Sequence, residues 1–163
     1  MRKKFVAVIG HGKSGKSTII QSLTGCESRS FINVIEDRTT GLSIYVHAPS
    51  PQEHPQTDIK IFRDILQDIL DDAKIQGIVI AIQPTCPTQR LSMEEMFEAA
   101  KNAKFESYAF ILEPPYGGRL TDFESVQKRV LANDKNAQVY KLDGRRFGIL
   151  NAEAIRALSR LPY

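Results

Sequence analysis

Residues 10 to 17 read Gly-His-Gly-Lys-Ser-Gly-Lys-Ser and follow directly on the apolar run Phe5-Val6-Ala7-Val8-Ile9. They satisfy G-x-x-x-x-G-K-[ST] in full, and that pattern dictates a local fold: a buried strand enters, a glycine-rich turn follows, and a helix leaves. Ser17-Thr18-Ile19-Ile20-Gln21-Ser22-Leu23 suits the helix, which should stop near Gly25. Glycines let such a turn curl until successive N–H groups point inward at a phosphate chain. Lys16 is spaced to reach β/γ oxygens, from a position expected to be solvated when no ligand is bound, and Ser17 to offer its hydroxyl to Mg²⁺. The helix adds the positive end of its dipole to the same anion. The expected contacts are Gly10, His11, Gly12, Lys13, Ser14, Gly15, Lys16, Ser17 and Thr18, around a nucleoside triphosphate with Mg²⁺. The bland alternative is a glycine-rich turn that holds a lysine by chance.

The rest of the chain alternates strand and helix patterns without repeats. Strands are expected at Phe5–Ile9, Ile32–Glu36, Leu42–His47, Gly77–Ile82, Ser107–Leu112 and Ala137–Leu142. Most are continuous apolar runs, the signature of strands buried on both faces of a parallel sheet. Ile59, Phe62, Ile65, Leu66, Ile69 and Leu70 recur at helical spacing. Ser92-x-x-Glu95 and Thr121-x-x-Glu124 read as capping boxes, and Asn151 as the cap of a last helix. The 163 residues therefore read as one α/β domain, residues 1–163, with a mostly parallel central sheet flanked by helices in three layers. Ligand groups should gather at the carboxyl ends of the strands. Two loops belong at that edge: 48–57, with three prolines and expected to be exposed, and 113–119, Glu-Pro-Pro-Tyr-Gly-Gly-Arg.

Bulk properties exclude little. Hydrophobic content of 42% and charged content of 25% are ordinary for a globular protein. A formal net charge of +3, spread along the chain apart from Arg2-Lys3-Lys4, does not indicate nucleic acid, although weak contact with an acidic surface stays open. No apolar run is long enough for a membrane span, and the start does not read as a signal peptide. Cys26 and Cys86 lack metal-ligand spacing and read as free thiols, which points to a cytoplasmic protein.

With its phosphate loop between first strand and helix, the chain resembles the P-loop NTPases. Two further stretches, Gly77-Ile-Val-Ile-Ala-Ile-Gln-Pro-Thr-Cys-Pro-Thr88 and Tyr108-Ala-Phe-Ile-Leu-Glu-Pro-Pro-Tyr-Gly-Gly-Arg-Leu120, are similar to the MinD/ParA-like partitioning ATPases. The resemblance implies the three-layer P-loop fold, Mg·ATP, and a homodimer or a protein partner. The chain departs from the family pattern at two places. His11 stands where a signature lysine would, and His47 where a strand-end Asp would orient Mg²⁺-bound water. Asp37, beside Glu36 at the end of the second strand, is the substitute carboxylate as metal ligand and catalytic group; a solvated loop acid is the alternative. Thr39 and Thr40 are candidate switch threonines, against an ordinary turn into a strand. Gln52, Glu53 and His54 are candidates to orient attacking water.

The Asn-Lys-x-Asp guanine signature is absent after the fifth strand, where Leu112-Glu113-Pro114-Pro115-Tyr116 stands instead. Pro115 and Tyr116 could flank an adenine, whereas Glu113 could still pair with guanine, so ATP is favoured and GTP stays possible. Three functions remain in play. One is an NTPase with slow or partner-stimulated hydrolysis that acts as a regulatory or assembly switch. Another is a small-substrate phosphotransferase with Arg119, Arg145 and Arg146 as clamp residues. The last is a catalytically degenerate nucleotide-binding module.

Overall fold

The computed structural model describes residues 2–54, 56–85, 91–113 and 122–161. Strand β1 (Lys4–Ile9) leads to helix α1 (Lys16–Thr24), then to strands β2 (Ile32–Glu36) and β3 (Ser43–His47). A short 3₁₀ turn, Pro51–Glu53, precedes α2 (Ile59–Asp71), β4 (Ile75–Ile82) and α3 (Met93–Asn102). The chain continues through β5 (Glu106–Glu113), α4 (Phe123–Asn133), β6 (Gln138–Asp143) and α5 (Gly148–Ser159). All six strands join one sheet in the order β2-β3-β4-β1-β5-β6. Every pairing is parallel except β2 with β3.

Alternation along β1 distributes the core. Phe5, Ala7 and Ile9 face α2, α3 and α4, while Val6 and Val8 face α1 and α5. The first face is anchored by Phe5, edge-on to Phe62 at 6.3 Å and to Phe97 at 5.2 Å. Helices thus cover both faces of the sheet, which explains why its inner strands are apolar along most of their length. β1 and β4 meet without a side chain between them where Gly77 lies opposite Lys4. A Cβ there would strike the Lys4 backbone, at 2.8 Å from its nitrogen. No helix among the described residues is long and apolar enough to cross a membrane.

The helix caps follow from local chemistry. Asp58 accepts from the Ile61 N–H, and Ser92 with Glu95 completes the expected box. Two expectations need revision. The side chain that caps α4 is Asp122, which accepts from Ser125 N at 3.2 Å; Thr121 lies outside the described residues. Asn151 is not a cap, because α5 already begins at Gly148. It is buried within the helix and donates to the Asp143 carbonyl at 3.0 Å, so it ties α5 to the end of β6.

The hairpin at the sheet edge changes the map most. β2 runs against β3, with Glu36 beside Ser43 and Ile32 beside His47. The end of β2 is therefore level with the start of β3, at the edge opposite the one where β1, β3 and β4 finish. Loop 48–57 also departs from expectation: Ala48 to Gln52 are buried, not exposed.

Candidate functional site

β1 delivers the chain to the 10–17 loop, and the Gly10 N–H donates to the Ile82 carbonyl at 3.1 Å, which extends the ladder one residue past the end of β1. The loop then curls, with Ser14 N donating to His11 O at 3.3 Å. Gly15 has φ +92° just before α1, a left-handed conformation that costs glycine nothing. Lys13 is also left-handed, at φ +61°.

Lys16 is not solvated as expected. It is 6% exposed, and its ammonium donates to the His11 carbonyl at 2.7 Å and lies 3.4 Å from Ser14 Oγ. The curl that gathers backbone dipoles also folds over the lysine. Burial lowers its pKa from 10.5 to about 8, opposed by the charge of Glu53. The Ser17 hydroxyl donates to the Ala48 carbonyl at 2.9 Å, which joins the first turn of α1 to the end of β3.

A cleft of about 370 Å³ opens over these groups, lined by Lys13 to Thr18 together with Arg29, Ser50 and Glu53. Lys13, Lys16 and Arg29 bring three cations to one carboxylate, a balance suited to an anion. The far wall is held by side-chain hydrogen bonds. Gln52 Nε2 donates to Gln83 O at 2.8 Å and its Oε1 accepts from Gln83 N at 2.7 Å. Ser50 donates to the same Oε1 at 2.6 Å, and Gln83 Nε2 reaches Glu53 at 2.5 Å. Gln52 thus pairs with the end of β4 as a strand would, and this replaces the apolar anchor that loop 48–57 lacks.

The remaining candidates are not all brought together. Asp37 stands at the opposite edge of the sheet from the 10–17 loop, because β2 is antiparallel. Its carboxylate accepts from Thr39 N at 2.8 Å and Thr40 Oγ1 at 2.7 Å, bonds that hold its pKa below the usual value, Thr40 first. With Gly41 N donating to Asp37 O at 2.7 Å, Asp37, Thr39 and Thr40 form the clasp of the β2–β3 hairpin and not part of the cleft. Their expected roles as metal ligand and switch drew on a place at the end of β2, which the antiparallel pairing sets apart from the 10–17 loop. Glu53 is the carboxylate that lines the cleft.

His47 is 4% exposed and lies on the α2 face of β3, on the side of Tyr45 and away from Val46 and Ala48, which face α1. Its Nδ1 bonds the Pro49 carbonyl at 2.7 Å and its ring meets that of His54 at 6.0 Å. Burial first, with the nearby His54 as a smaller cause, lowers its pKa to about 4 against the bond to Pro49. Glu113 closes β5 in an ion pair with Lys141 at 2.6 Å. Pro115, Tyr116, Arg119 and Cys86 lie outside the described residues. Sequence reasoning missed Arg29 and Ser50. Neither carries a motif, and only the return of the α1–β2 and β3–α2 loops to the same edge brings them to the cleft.

A larger groove of about 620 Å³ lies at the opposite edge, beside the starts of β5 and β6, where Arg2, Lys101 and Lys104 mix with Glu106 and Asp134. Its three cations face two carboxylates, a smaller excess than in the cleft, and the described lining offers no loop of converging amides.

Fold and cleft together define an α/β protein with a six-stranded, mostly parallel sheet and a cationic cleft at the carboxyl ends of its central strands. Comparison with protein-family models, curated proteins and solved structures finds no match to this chain.

Proposed function

We propose that the cleft binds the polyphosphate of a Mg·nucleoside triphosphate, with ATP favoured over GTP, and that the protein acts as a regulatory or assembly switch with slow or partner-stimulated hydrolysis. The observation that carries this reading is the state of Lys16. A buried ammonium satisfied mainly by its own loop carbonyl is an incompletely compensated charge, and a phosphate oxygen would compensate it far better. Lys13 and Arg29 add charge, and the start of α1 adds N–H groups.

The residues also fit a magnesium ion held mainly by the ligand. Mg²⁺ keeps most of its waters and needs only one or two protein oxygens. Ser17 Oγ, the hydroxyl of the loop motif, and the Glu53 carboxylate are two cleft oxygens that would supply them. Among the described residues no group of three or more His, Cys, Asp or Glu could hold a metal by itself. A bound Mg²⁺ would supply charge neutralisation for phosphoryl transfer. Glu53, tied to Gln83, is then placed to hold a water beside the terminal phosphate. A wall that carries a single carboxylate among the described residues suits slow turnover or a partner that completes the site.

The kinase reading gains nothing from Arg145, one of its three clamp residues. Arg145 grips Asp143 through both Nε and Nη2, at 2.9 Å each, and so is committed to the β6–α5 turn.

Calorimetric titration with Mg·ATP and with Mg·GTP tests the proposal. Saturable binding is expected, stronger for ATP, and Lys16→Ala should weaken it by roughly 10- to 150-fold, the value of one charge-assisted hydrogen bond of about 1.5–3 kcal/mol. Absence of saturation with both nucleotides, or an unchanged Kd in the variant, overturns it.

A further inference from the structure

β2 is the terminal strand of the sheet, and β3 is its one strand partner among the described residues. Its sequence, Ile32-Asn33-Val34-Ile35-Glu36, contains neither proline nor lysine, and its ladder with β3 runs without a bulge. These are the devices that ordinarily blunt an open edge. Ile32 is 40% exposed and Val34 37%, on the same side of the strand. Ile32 lines a groove together with Ile65 of α2, and Ile61, one turn earlier on that helix, is 41% exposed.

The hydrogen-bond pattern shows which backbone groups are available. At the two ends of the hairpin ladder, the Phe31 carbonyl accepts from Ala48 N at 2.9 Å and Asp37 N donates to Leu42 O at 2.8 Å. The odd-numbered residues therefore turn toward β3, and the period of two turns the N–H and C=O of Ile32, Val34 and Glu36 toward the open edge. One of these is already met locally: Val34 N donates to Asn33 Oδ1 at 2.8 Å, in the position a neighbouring strand's carbonyl would take.

We propose that this edge pairs antiparallel with the same edge of a second copy of the chain, so that one sheet runs through a two-fold-symmetric dimer. Charge selects both orientation and occupant. Arg29 precedes the strand, and Glu36 and Asp37 end it. An antiparallel pair sets each basic entry beside its partner's acidic exit, whereas a parallel pair would set like charges together. Centred on Asn33, which meets its own copy, the two-fold register places Ile32 opposite the partner's Val34 and Phe31 opposite the partner's Ile35, apolar against apolar on either side of the centre. The same register brings the outward-facing even residues of both strands into hydrogen-bonded pairs. A strand that complements itself in charge, side chain and backbone fits a second copy better than an unrelated peptide. The interface is small, five residues a side with the Ile61–Ile65 margin of α2, so the dimer is a reversible one of micromolar Kd. Arg29 also lines the cleft, but the pairing of the strands themselves needs no ligand there.

Sedimentation analysis of the full chain from roughly 1 to 100 µM, a range spanning a micromolar Kd, tests it beside Val34→Lys and Val34→Pro. The Val34 N–H faces away from β3, so proline at that position spares the hairpin ladder and blocks the open edge. The wild type should show a monomer–dimer equilibrium, and each variant should raise the Kd at least tenfold with an unchanged circular dichroism spectrum. A wild type that stays monomeric across the range overturns the proposal, as does an equally tight dimer in the variants. So does a monomer that instead captures a foreign β-strand peptide. Should the variants fail to fold, amide exchange on the wild type decides: protection of Ile32, Val34 and Glu36 should rise with protein concentration, and protection independent of concentration overturns the pairing.

Discussion

Lys16 and His47 are both buried titratable groups, and burial is the largest cause that moves each toward its neutral form. For Lys16, with a pKa of about 8 in the empty cleft, the charge that attracts phosphate is fully present only below that pH. Nucleotide affinity should therefore be greatest below pH 8 and fall above it, by at most about tenfold per pH unit for the one proton that binding must recover. Titration calorimetry from pH 7 to 9.5 reads this directly, and a flat profile would detach Lys16 from the ligand. His47 acts on stability instead. Above pH 6.5 its ring is neutral in both folded and unfolded chains and contributes no slope. As pH falls from 6.5 toward 4, the unfolded chain takes a proton that the folded ring refuses, so stability is lost through that window. The loss should be of the order of 1–2 kcal/mol by pH 5, measured as a drop in the urea midpoint between pH 7 and 5, and His47→Gln should flatten it. Nothing in the sequence distinguishes His47 from a solvated strand-end histidine. Its burial depends on the fold of residues 48–54 over it, held by the Gln52–Gln83 bonds.

At the level of elements, the six strands fall within a residue or two of where apolar runs place them. Amphipathic spacing and a cap are enough to locate α2 and α3. These were legible because period and capping are local properties of the chain. Pairing partners were not. β4 sits between β1 and β3, and nothing in its composition says so except Gly77, whose missing side chain admits the Lys4 backbone. Gly77→Ala must push β1 and β4 apart at the centre of the sheet, at a cost of about 2–4 kcal/mol. Chemical denaturation should show that loss with the m-value preserved, and a loss under about 0.5 kcal/mol, typical of a neutral surface change, would mean that the strands are not in this register. The β2–β3 hairpin is the instructive miss. Glu36 and Asp37 read correctly as the end of a strand, but the direction of that strand is a tertiary property, and its reversal sends both carboxylates to the wrong edge for a metal.

For the whole molecule, the cleft forms where three separate loops return to one sheet edge, so occupation of the cleft should stabilise the entire domain. A ligand present at about 100 times its Kd adds about 2.7 kcal/mol, which for a chain of this size should raise Tm by roughly 5–10 °C. Differential scanning fluorimetry with Mg·ATP checks the shift, which should fall to about half or less in Lys16→Ala at the same ligand concentration. The amino-acid sequence alone determined the alternation of strands and helices and the curl of the 10–17 loop, because hydrophobic period and glycine placement act over a few residues. Only the tertiary structure decided which carboxylate shares the cleft, which arginine joins it, and which strand ends the sheet. Those depend on strand order and direction, which are settled by long-range burial and hydrogen bonding across the sheet and leave little trace in any one segment.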